Sequence, residues 1–202
     1  MIKILCSLVI WISSSIAFAQ SSLVVLGDSL SAGYGVDLGR GWVVLLQKKI
    51  DQSGLNIQVH NASISGDTSA GGVARIDQVL ATIHPEWLLL ELGANDGLRG
   101  LSPMQMETNL KTIITHSQQA GAKVILFAIK IPPNYGKRYV HLFEQVYPKL
   151  AEELHIPLLP FFLEKIALKP ELMQKDRLHP NTIAQPFILE NIWSVLEKYL
   201  VK

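Results

Sequence analysis

Segments that read as buried strands alternate with segments that read as helices along almost the whole chain, and few architectures accommodate that order. Residues 23–26, 87–92 and 123–129 are nearly unbroken apolar runs, the pattern of strands covered on both faces. Residues 56–61 alternate Ile57 and Val59 with polar side chains, and residues 157–161 read as a short last strand. Between them lie helical patterns. Val43, Val44, Leu46 and Ile50 mark one within residues 41–50, and Val73, Ile76, Leu80 and Ile83 mark a second. Met106, Leu110, Ile113 and Ile114 form one face of a third, behind Ser102-Pro103-Met104-Gln105, which reads as a capping box with proline at the first helical position. Residues 139–155 read as a fourth. Leu189, Ile192, Trp193, Leu196 and Leu200 mark a C-terminal helix that Asn181 can cap. This order predicts an α/β fold, a parallel sheet with helices on both faces. No linker, repeat or low-complexity tract interrupts it, so residues 20–202 are expected to form a single domain.

Residues 1–19 are expected to be a signal peptide. Lys3 supplies a positive charge, residues 4–18 are mostly apolar, and Ala17-Phe18-Ala19 fits a small-x-small cleavage pattern. An uncleaved anchor is the alternative, but the apolar stretch falls short of the roughly 20 residues that span a bilayer. Cleavage after Ala19 sends the product to the periplasm or the medium. It removes Lys3 from the 18 Lys and Arg residues, leaving cations equal to the 17 Asp and Glu. A neutral chain does not suit a nucleic acid or another polyanion. The single cysteine, Cys6, lies in the leader, so the mature chain has no disulfide and no thiolate metal ligand.

In a sheet of this kind ligands bind beyond the carboxyl ends of the strands. Three polar, glycine-containing segments follow strand ends there: residues 27–35, 63–72 and 93–100. Ser29 follows the first strand, where a hydroxyl can face a crevice, although Asp28-Ser29 is also ordinary turn chemistry. Asn95 can donate its amide to a developing oxyanion or can simply tolerate a turn. Gly66 offers an unobstructed N–H or is a plain loop glycine. The stretch from Gly66 to Gly72 lacks the Gly-Lys-Ser/Thr ending of a phosphate loop, and no His-Glu-x-x-His pattern occurs. Of six histidines, five have structural readings; His141 and Glu144, one helical turn apart, read as a surface pair. His179 differs, with Asp176 three residues before it and Pro180 after it. The order Ser, Asp, His permits a catalytic triad but does not prove one. Ile131, Pro132 and Tyr135, in the loop after the fourth strand, are expected to line part of a substrate groove.

Together these residues resemble the GDSL, or SGNH, hydrolase family over essentially the whole mature chain. Four blocks carry the likeness: Gly27-Asp28-Ser29-Leu30, Ser65-Gly66-Asp67, Gly93-Ala94-Asn95-Asp96 and Asp176-x-x-His179-Pro180. Further stretches, such as Ile131-Pro132-Pro133-Asn134-Tyr135-Gly136, resemble the bacterial periplasmic esterases of that family that act on thioesters, aryl esters and lysophospholipids. The resemblance implies a flavodoxin-like three-layer α/β/α fold with a five-stranded parallel sheet, and no metal or organic cofactor. It implies Ser29, Asp176 and His179 as catalytic residues, with Ser29, Gly66 and Asn95 forming an oxyanion hole. The expected partner is a small acyl ester, thioester or lysophospholipid, met by a monomer without a stable membrane anchor. A carbohydrate or aryl-ester deacetylase, or a non-catalytic lipid- or sugar-binding module, are the alternatives. Arg177 and the doubled Pro132-Pro133 depart from the family pattern and bear on chain-length preference.

Overall fold

The structure is a computed structural model that describes residues 20–201; the expected leader, residues 1–19, lies outside the described residues. Five strands form one parallel sheet: β1 (Ser21–Gly27), β2 (Ile57–Asn61), β3 (Trp87–Glu91), β4 (Lys123–Phe127) and β5 (Leu158–Leu159). Their order is β2-β1-β3-β4-β5. The chain therefore moves outward from β1 to β2, then returns to the other side of β1 for β3. That reversal places a crevice beyond the carboxyl ends of β1 and β3.

Helices cover both faces, as the apolar runs require. α2 (Trp42–Gln52) packs against α7 (Gln185–Leu200) on one side. α3 (Ser69–Ile83), α5 (Pro103–Gln119) and α6 (Lys137–Glu153) pack in series on the other. Two short helices, α1 (Ser29–Ala32) and α4 (Ala94–Leu98), begin just past β1 and β3. Leu23 to Leu26, Leu88 to Leu90 and Ile125 to Phe127 are fully buried, each such side chain contributing about 1.5–3 kcal/mol relative to exposure. Trp42 links this core to the crevice: its ring stacks on Phe127 at 6.1 Å while its Nε1 donates to the Leu30 carbonyl.

Three expectations shift at their edges. The last strand contracts to two residues, because Pro157 and Pro160 cannot extend its hydrogen-bonded ladder. The expected helix at 139–155 begins at Lys137 and continues through Pro148. The capping box at Ser102 is half made. Ser102 Oγ accepts from the Gln105 N–H at 3.4 Å, but the Gln105 side chain turns outward to Asn109. Asn181 does cap: its Oδ1 accepts from the N–H groups of Ile183 and Ala184, in a 3-10 turn that leads into α7.

Candidate active site

Each segment of the crevice is shaped by a local reason. After β1, Asp28 caps α1, its Oδ1 accepting from the Leu30 N–H at 3.0 Å, and Ser29 becomes the first residue of that short helix. After β3, Gly93 adopts φ 121°, and a Cβ there would lie 2.2 Å from the Tyr147 hydroxyl. Only glycine tolerates both, so the chain can turn at once into α4 and point Asn95 back toward β1. Asp96 then pins α4 to the start of α3 by accepting from Ser69 Oγ at 2.6 Å and Ser69 N–H at 2.8 Å.

Residues 173–180 form a small loop closed by an antiparallel bridge between Met173 and Pro180. Asp176 Oδ1 accepts from the N–H groups of Leu178 and His179 at 2.9 and 3.0 Å, and Arg177 takes a left-handed conformation at φ 57°. This tight turn leaves Asp176 Oδ2 facing the His179 ring. Gln174 ties the loop to the first block by donating to the Tyr34 carbonyl, and the Tyr34 ring lies against His179 with centroids 4.8 Å apart. Arg177 is exposed and supplies the left-handed residue of the turn.

Ser29, His179 and Asp176 are thereby joined. Ser29 Oγ lies 2.9 Å from His179 Nε2, and His179 Nδ1 lies 2.7 Å from Asp176 Oδ2. Burial opposes ionisation of Asp176. The hydrogen bonds from the His179 backbone, the His179 ring and the Leu178 backbone together outweigh it, so its carboxyl titrates at about 2. It is an anion across the ordinary pH range, placed to hold the Nδ1 proton of its neighbour.

The three expected oxyanion donors are neighbours through single residues. Asn95 Nδ2 donates to Asp28 Oδ2, beside Ser29, at 3.1 Å and to the Asp67 carbonyl, beside Gly66, at 2.9 Å. Two acceptors at that atom fix the amide orientation, since a carbonyl oxygen there would have nothing to accept. The N–H groups of Ser29 and Gly66 have no acceptor among the described residues. They are free to donate, whereas Asn95 has both of its hydrogens engaged and must share or exchange one to meet a ligand.

Several residues that build this site carry no motif signal. Arg75 grips Asp67 and the Ala62 and Gly27 carbonyls, joining the ends of β1 and β2. Arg99 donates to the Gly66 carbonyl at 2.8 Å, leaving that residue's N–H to point elsewhere. Neither is visible from spacing. Glu91 could have been found: it is the one charge inside the apolar run of β3, and it is fully buried.

The loop after β4 differs from its expected form. Ile131 is 6 % exposed and packs into the core, where a Cβ on Gly97 would meet its Cγ2 at 2.7 Å. Tyr135 is half-buried and donates to the Leu98 carbonyl at 2.9 Å, which moors the loop on α4 beside Asn95. Pro132 is half-buried. Among the described residues no cluster of three or more His, Cys, Asp or Glu is placed to hold a metal ion, and no helix is long and apolar enough to cross a membrane.

The family model of the GDSL-like lipase/acylhydrolase family matches residues 25–185. The chain belongs to that family. It is 47 % identical over 182 residues to esterase TesA of Pseudomonas aeruginosa, covering 90 % of each chain. It is 49 % identical over 174 residues to thioesterase 1/protease 1/lysophospholipase L1 of Escherichia coli K12, covering 86 % of this chain and 82 % of that one. Among solved structures, the psychrotrophic esterase EstA of Pseudoalteromonas, described as inhibited by monoethylphosphonate, superposes with a TM-score of 0.87 at 44 % identity. That match covers 90 % of this chain and 100 % of EstA. The three-layer α/β fold is that of the family, and the protein is an ester-hydrolysing enzyme of it.

Proposed function

We propose that the protein hydrolyses acyl esters and thioesters, lysophospholipids among them, through a covalent acyl-enzyme on Ser29. The observation behind this is the continuous line of hydrogen bonds from Asp176 through His179 to Ser29 at the carboxyl edge of the sheet. His179 takes the Ser29 proton as Oγ attacks the acyl carbon, and returns it to the leaving alcohol or thiol. Asp176 holds the imidazole tautomer and offsets its charge in the transition state. The N–H groups of Ser29 and Gly66 and the Asn95 amide receive the carbonyl oxygen as it becomes an oxyanion. Water, deprotonated by His179, then attacks the acyl-enzyme, and the carboxylic acid leaves as Ser29 regains its proton. No step as written needs a metal or an organic cofactor.

The loop from Ile131 to Tyr135 is the proposed wall of the acyl groove. Pro132 and Tyr135 face the acyl chain, and Ile131 supports them from the core. Each methylene held there would contribute about 0.8 kcal/mol. The substrate meets a monomer released after Ala19 to the periplasm or the medium, in keeping with the apolar leader and its small-x-small ending.

A fluorophosphonate adduct mapped to Ser29, together with abolished hydrolysis in a folded Ser29→Ala variant, is the expected result. An adduct on another serine with activity retained in the variant overturns the assignment. Assay against acyl thioesters, lysophospholipids and acetylated sugars reads the substrate class. Turnover confined to acetylated sugars points to a deacetylase, and no turnover or labelling at all points to a binding module.

A further inference from the structure

Glu91 has no part in the mechanism above, yet it is fully buried beneath the crevice. It ends β3, opposite Gly27 of β1 in the parallel register, and is 0 % exposed. None of the ion pairs among the described residues includes it. Leaving a carboxyl group there is costly unless its hydrogen bonds do something a leucine could not.

Those hydrogen bonds converge on the nucleophile turn. Glu91 Oε2 accepts from Ser31 Oγ at 2.6 Å and, at 3.4 Å, from the Asp28 N–H. Asp28 immediately precedes Ser29 and Ser31 follows it by two residues, so one oxygen grips the turn on both sides of the serine. Asp28 extends the chain of contacts, since its own carboxyl accepts from Leu30 N–H and from the Asn95 amide. The glycine of the first block makes this possible: a Cβ on Gly27 would lie 2.7 Å from Glu91 Oε2 and 2.8 Å from the Ser31 side chain.

We infer that Glu91 is a positioning residue, a buried carboxyl group under the turn that holds Ser29 Oγ in line with His179 and, through Asp28, aims the Asn95 amide. The inference rests on the reading of Ser29 as nucleophile. Complete burial, and next the charge of Asp28, push the Glu91 carboxyl well above the usual carboxylate range. Its Oε1 has no partner among the described residues, which an uncharged group tolerates far better than an anion. The polar groups facing it are Asp28, Ser31 and, at longer range, Tyr147, none of them a cation.

The test compares E91Q, E91L and S31A with the unmodified enzyme, using a short aryl ester and a fluorophosphonate. Glutamine keeps an acceptor for Ser31 Oγ and the Asp28 N–H, so kcat should stay within about threefold, whereas leucine frees the turn and should lower kcat about 10²-fold, as misplacement by ~1 Å does. KM should change little in either. Phosphonylation of Ser29 should slow in parallel with kcat, and S31A should lose about tenfold, part of the leucine effect. An E91L enzyme with unchanged kcat, or an E91Q enzyme as impaired as E91L, overturns the inference. Should E91L not fold, S31A decides, with unchanged kcat overturning it. Failure of the underlying reading looks different, because the unmodified enzyme would then not be labelled at Ser29.

Discussion

Asp28 and Asp176 make the same local turn in opposite surroundings. Each accepts from the N–H two residues on, at 3.0 and 2.9 Å, and each precedes a residue of the proposed triad. Around Asp28 everything else is long-range: the buried Glu91, the half-buried Asn95 and the sheet register lie more than 60 residues away in sequence. Around Asp176 everything is near, and its side chain is 40 % exposed. Burial pushes Asp28 up to about 6, while the hydrogen bonds of its turn leave Asp176 at about 2. The nucleophile is thus held by the tertiary fold, and the histidine is held first by its own turn, with Gln174 and Tyr34 linking that turn to the first block. Damage to the first should cost stability as well as rate. Damage to the second should cost rate alone.

Asp176→Asn breaks the comparison most severely. Asparagine keeps an acceptor for the Leu178 and His179 N–H groups, so the loop and the melting temperature should be nearly unchanged. Its amide would face His179 Nδ1 and favour the wrong tautomer, and turnover should drop by about 10³–10⁴-fold. A large fall in melting temperature would show that the histidine loop depends on the tertiary fold after all.

On the buried side, Asn95→Ala should lower kcat by about 10²–10³-fold with little change in KM, because the amide acts on developing charge. It also removes the link between Asp28 and Asp67, so the melting temperature should fall with the rate. Unchanged kcat with a raised KM would make Asn95 a ground-state binding residue. Gly27→Ala comes next. Its methyl must displace the Glu91 and Ser31 side chains, an overpacking that costs about 1–3 kcal/mol of stability. Denaturant unfolding measures it, and a neutral result would mean that the turn is not tightly held from below.

The smallest effect is the response to pH. Asp28 keeps its proton in the folded protein to a higher pH than in the unfolded chain. Its contribution to stability is therefore fully present below about pH 4 and is lost as the pH rises through about 6. Glu91 acts in the same direction. Asp176 has the opposite sign, its contribution disappearing only as the pH falls through about 2. An Asp28→Asn variant escapes the first loss, so its stability relative to the unmodified enzyme should improve between pH 4 and 7. A difference that stays constant across that range would contradict the buried state of Asp28.

This contrast also explains what sequence reasoning could reach. Unbroken apolar runs identified the strands because a parallel sheet covered on both faces has no polar side. The blocks around Ser29, Gly66, Asn95 and His179 were legible because turns are written in a few adjacent residues. Arg75 and Arg99 were not, since their partners lie far along the chain and no spacing rule connects them; Glu91 stands out as a charge in an apolar run, but its partners do not. Ile131 was ambiguous for a related reason: an apolar residue in a loop reads equally as a groove wall or as a core plug. Only the packing of Gly97 and Phe143 against it distinguishes the two.

The central claim is that the buried turn and the exposed loop meet to make Ser29 a nucleophile. Rapid mixing with an aryl ester that deacylates slowly, followed by mass mapping of the quenched enzyme, tests it most directly. A burst of released phenol equal to the enzyme present is expected, with an acyl group on the peptide containing Ser29, and both should be lost in His179→Ala with the melting temperature maintained. An acyl group on any other residue, or hydrolysis without an acylated intermediate in the unmodified enzyme, would contradict it.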